Sequence, residues 1–110
     1  MLVAFSVSPL GAGESVSAAV ADAIEAVARS GLPYRTDAMF TTVEGEWDEV
    51  FAAVRAATDA VGRYAGRVSL VLKADIRPGH TGELAGKVER LRGVFESRGE
   101  GDLLAGPSQG

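Results

Sequence analysis

"PYRTDAMFTTVEGEWDEV", residues 33–50, runs two short extended segments straight into the start of a helix. The segments, around Pro33–Thr36 and Met39–Val43, are joined too tightly for anything but a hairpin, so they should lie antiparallel. Gly45 breaks the second segment. From Trp47 the apolar residues Val50, Phe51, Val54 and Val61 recur at helical spacing up to the Gly62–Gly66 region.

Working outward, residues 2–8 alternate, with Val3, Phe5 and Val7 on one face and Ala4, Ser6 and Ser8 on the other, and Pro9 and Gly11 are expected to end the strand. Val16, Val20, Ile24 and Val27 mark one face of a helix that should stop near Ser30-Gly31. Residues 67–77 alternate again, the even positions from Val68 to Ile76 opposing Ser69, Val71, Lys73, Asp75 and Arg77. After the loop "RPGHTGE", Leu84, Val88, Leu91 and Phe95 predict a third helix. The order β-α-β-β-α-β-α predicts an α+β fold, a ferredoxin-like four-stranded antiparallel sheet with an additional C-terminal helix. Residues 1–97 form the single expected domain, and 98–110, Gly-rich and aperiodic, are read as a flexible tail.

If the helices cover one sheet face, the other carries Ala4, Ser6, Ser8, Val71, Lys73 and Asp75. On the hairpin's second strand, either Phe40, Thr42 and Glu44 or Met39, Thr41 and Val43 joins them; alternation leaves both open. A face so poor in charge is suited to a second subunit or a ligand.

Composition narrows the function. The 110 residues contain no cysteine and one histidine, His80, which removes a thiolate nucleophile, a disulfide framework and a Cys-based zinc site. A net charge of −4 argues against nucleic acid. Residues 1–50 hold eight acids against two arginines, whereas residues 51–110 mix nine basic residues with seven acids, a solvated helix surface. The opening run "MLVAFSVSPLG" lacks a basic leader and is too short to span a bilayer, so a cytoplasmic protein is expected.

Single motifs carry little chemistry. Glu46, Asp48 and Glu49 fall where a helix dipole favours carboxylates, and Trp47 reads as core or interface. "PLGAGES", residues 9–15, lacks the Lys of a phosphate loop and places Glu14 where phosphate would sit, so it reads as a plain turn. His80 sits in a surface loop. Glu44 differs because it ends a strand, from which a carboxylate can point into a pocket. No spacing announces a nucleophile, so an enzyme has no motif behind it.

Taken together, "VSPLGAGESVS" at 7–17, "SGLPY" at 30–34, "MFTTVEGEWDEV" at 39–50, "VLKADIR" at 71–77 and "KVERL" at 87–91 resemble the thiamine-binding protein family over residues 1–97. The resemblance implies non-catalytic binding of thiamine or its hydroxymethylpyrimidine half. It also implies homodimers that pair through the sheet, usually in a homotetramer; no cofactor and no metal are expected. Ser6, Ser8, Met39, Phe40, Thr41, Thr42 and Glu44 are the candidate ligand residues. Glu44 would take the ring's amino group, Thr41 or Thr42 a ring nitrogen, and Phe40 or Met39 the ring face. Phe40 stands where the family usually has glycine, and Thr58-Asp59 where it often has a His-Glu pair. Two other readings remain: a structural or regulatory oligomer with Phe40 filling the pocket, and a dimeric cofactor-free oxygenase of the same fold.

Overall fold

The computed structural model describes residues 1–11, 13, 16–101 and 103–105. Seven elements follow in the order β1 (Leu2–Leu10), α1 (Val16–Arg29), β2 (Tyr34–Thr36), β3 (Thr41–Glu44), α2 (Trp47–Gly62), β4 (Arg67–Asp75) and α3 (Glu83–Ser97). The sheet order is β2-β3-β1-β4 with every pair antiparallel, a ferredoxin-like α+β arrangement with α3 added.

The register resolves the alternative left by alternation. Val3 opposes Val43 and Ala74, while Ala4 opposes Thr42 and Lys73. Val3, Phe5, Val7, Thr41 and Val43 are buried under the helices, so Thr42 and Glu44 belong to the open face with Ala4, Ser6 and Ser8. Across the sheet, Ala19, Ala23 and Val27 of α1 meet Val50, Val54, Ala57 and Val61 of α2 in one core. The alanines let the helices sit close to the sheet and to each other, which is why α1 buries them in preference to Val16 and Val20 of the expected stripe. Gly45 sits in the same close packing, where a Cβ would press on Val50 Cγ2 at 3.1 Å and Leu32 Cδ1 at 3.3 Å.

β1 does not end at Pro9. It pairs with β4 along its whole length, Leu10 opposite Arg67. The backbone of each odd residue of β1 points toward β3, as the Gly45 amide bonded to the Met1 carbonyl shows, and β3 has ended before Pro9 is reached. The missing proline N–H therefore costs no ladder bond. β4 stops at Asp75, two residues short of the expected end. Its Leu70 and Leu72 share the helix-covered face with Val7 and Phe5 but remain 39% and 38% exposed, whereas Val68 and Ala74 of the same strand pack against the core.

α2 starts as its carboxylates suggest, with the Glu46 amide donating to Glu49 Oε1 at 3.1 Å. Trp47, expected in a core or interface, is 54% exposed and stacks on Phe51 at 5.3 Å. α3 stands at the end of the open face nearest Leu2, Glu44 and Asp75, where Lys87 pairs with Asp75. Past α3, the Glu100 amide bonds to the Phe95 carbonyl and Leu103–Ala105 make one 3-10 turn. The rest of the segment expected as a tail, and Ala12, Glu14 and Ser15 of the loop before α1, lie outside the described residues.

Candidate functional site

β1 runs to Leu10, but its partner β3 reaches back only to Thr41, opposite Phe5. The shortfall leaves a gap between the second half of β1, the hairpin loop of residues 37–40 and the flank of α1. A cavity of about 190 Å³ fills it. Val20, Ala23, Ile24 and Val27 of α1 form one wall, Phe5 to Ser8 of β1 the floor, and residues 36–41 the lip. Clefts that enclose a whole drug-sized ligand run to roughly 300–1,000 Å³, so this one takes a single ring and leaves any attached group outside.

Five of the seven expected residues border the cavity: Ser6, Ser8, Met39, Phe40 and Thr41. Ser6 and Ser8 do so where it wraps round the free edge of β1, since the register places them on the open face. Phe40 is 38% exposed, and the 190 Å³ stand open beside it. Thr41 is buried, its hydroxyl 3.0 Å from that of Thr36.

The other two lie elsewhere. Thr42 lines a shallow depression of the open face with Ala4, Lys73 and Lys87. Glu44 accepts a 2.6 Å hydrogen bond from the Glu83 amide at the start of α3. This helix needs a partner there because Gly82, which precedes it at φ 68°, has no side chain to offer. Glu83 is itself buried, and its carboxylate takes the Arg90 guanidinium at 2.6 Å, with His80 Nδ1 at 3.9 Å. The Arg90 hydrogen bond holds the Glu83 carboxyl below the usual carboxylate range.

Asp37 is the acidic residue that sequence reasoning missed. Its Oδ1 accepts the amides of Phe40 at 2.9 Å and Met39 at 2.8 Å, and these two bonds hold its carboxyl below the usual range. No described cation pairs with it, so the lip of the cavity carries one uncompensated negative charge. The signal was present: Asp at the first position of a tight turn bonds the backbone two and three residues on. Among the described residues, no three His, Cys, Asp or Glu side chains gather to hold a metal, and no helix is long and apolar enough to cross a membrane.

Comparison with known proteins places this geometry in context. The family model described as "Thiamine-binding protein" matches residues 3–92. A UPF0045 protein of Mycobacterium bovis is 55% identical over 89 residues, which is 80% of this chain and 87% of the relative. The crystal structure of a hypothetical protein from Methanocaldococcus jannaschii superposes with a TM-score of 0.71 at 33% identity, over 90% of this chain and 95% of that one. A Thermotoga maritima protein proposed for thiamine biosynthesis or salvage superposes with a TM-score of 0.70 at 29% identity, over 83% of this chain and 97% of its own.

Proposed function

Because the chain belongs to the thiamine-binding protein family, we propose that it binds thiamine or the hydroxymethylpyrimidine half of thiamine, without catalysis, in the cavity between β1, α1 and the 37–40 loop. The observation that carries this reading is the meeting of five expected ligand residues around one opening of single-ring size. The pyrimidine enters between the apolar wall of α1 and Phe40. A thiazolium ring joined to it stays at the lip, where Asp37 supplies the opposite charge.

The open face supports self-association. Val71, on that face, is 58% exposed, and Leu91 and Val94 of α3 are also exposed. We assign this surface to a second copy of the chain, giving a homodimer through the sheet and a homotetramer built from it.

Titration calorimetry tests the ligand. Thiamine should bind saturably at about one site per chain, with hydroxymethylpyrimidine competing for it. Absence of heat with either compound overturns the reading.

A further inference from the structure

We infer that the cavity's ligand is read by the backbone of Val7, whose N–H and C=O form a free donor and acceptor pair that Asp37 keeps unpaired. The matching chemistry is a heteroaromatic ring with an acceptor nitrogen beside an amino-bearing carbon. The inference rests on the reading of this cavity as a ring-binding site.

In an antiparallel ladder, each residue directs its N–H and C=O to the same neighbouring strand, and successive residues alternate between neighbours. The Gly45 amide reaches the Met1 carbonyl at 3.1 Å, and Val3 opposes Val43 and Phe5 opposes Thr41. Odd residues of β1 therefore serve the β3 side, and even residues serve β4. Continuing that register puts Met39 opposite Val7. Met39 is not available, because its amide is turned to Asp37 Oδ1, as is that of Phe40. The chain bends away at residues 38–39, and no hydrogen bond from a described residue reaches Val7 from that side. The next odd residue is Pro9, which has no N–H to offer. Val7 thus presents the only complete donor and acceptor pair on this stretch of edge, and it lies on the cavity floor.

The N–H and C=O of one extended residue emerge side by side. A ring nitrogen next to an exocyclic amino group meets both at once, acceptor to donor and donor to acceptor. Replacing that amino group by an oxo group reverses the order and sets acceptor against acceptor. Sites built on such pairs reject the mismatched analogue strongly, whereas apolar walls alone barely distinguish the two. Asp37 acts as a positioning residue: by occupying the Met39 amide it stops the ladder one step short of closing on Val7.

The test uses two neutral probes, 4-amino-5-hydroxymethyl-2-methylpyrimidine and its 4-oxo analogue, so that charge at Asp37 plays no part. The amino compound should bind and shift the Val7 amide resonance of nitrogen-15-labelled protein, and the oxo compound should bind at least about tenfold more weakly. Asp37→Ala should lose binding by a similar factor, and Asp37→Asn, which keeps the turn's acceptor, should restore it. Equal affinity for the two pyrimidines, or amino-compound binding with the Val7 amide unmoved, overturns the assignment to Val7 while leaving the ligand reading intact. Failure of both compounds and of thiamine to bind overturns the reading of the cavity and this inference with it.

Discussion

The Glu44 carboxylate lies 2.6 Å from the Glu83 amide, and truncating it leaves the first turn of α3 without that partner. Glu44→Ala should lower stability by about 1–3 kcal/mol, the usual cost of losing a hydrogen bond to a charged group, while leaving thiamine affinity unchanged. Thermal unfolding and titration of the same variant check both halves, and a loss of affinity with stability intact would return Glu44 to the ligand. From sequence alone, Glu44 was recognised as a strand-end carboxylate aimed at something. What it is aimed at depends on α3 arriving beside it, a tertiary fact that no local pattern encodes. Asp37 is the opposite case: its bonds to Met39 and Phe40 are local, and the turn motif was legible had the hairpin loop been read for its own chemistry.

Among the elements, α3 is the one whose attachment depends most on ionised groups. Glu83 is buried at its first turn between the Arg90 guanidinium and His80, and its carboxyl titrates below the usual range. A carboxyl depressed in the folded state contributes stability that is fully present above its unfolded value of about 4.3 and is lost as pH falls through the lower folded value. Hydrogen exchange of α3 amides, measured against the intrinsic rate at each pH, should therefore quicken below about pH 4 before the sheet opens. Glu83→Gln should quicken it already at neutral pH and flatten the dependence. Hairpin spacing and the helix and strand periodicities placed all seven elements, although β2 is exposed along its length and α3 buries only Glu83. They missed the length of β1, since proline reads as a terminator until the direction of its backbone is known. They also overstated the burial of Leu70 and Leu72, since alternation reports a side and not how fully each residue on it is covered.

For the molecule as a whole, a radius of gyration of 16.1 Å exceeds the about 13 Å of a compact chain of this length, and the extents are 51 × 40 × 20 Å. Val71 lies bare on the open face of this flat body, where the proposed second copy would dock. Light scattering on the purified protein should give a multiple of 11.4 kDa, and Val71→Asp should shift it toward the single chain; a wild-type monomer at tens of micromolar would refute association through the sheet. The surplus sheet face was legible from composition, whereas the ring-sized gap was not, because it arises from a mismatch between strand lengths. The pairing of β1 with β4 bears on the order in which the protein is made. β1 precedes the rest of the sheet in the chain, yet its longest partnership, Leu2 with Asp75 through Leu10 with Arg67, cannot begin until β4 has followed it. Such distant closure must be reached before any of its contacts reward it, so this pairing is the slow step expected of the fold. Until β4 emerges, the nascent chain carries a central strand with one whole flank bare, and it is at this stage that a chaperone would find it.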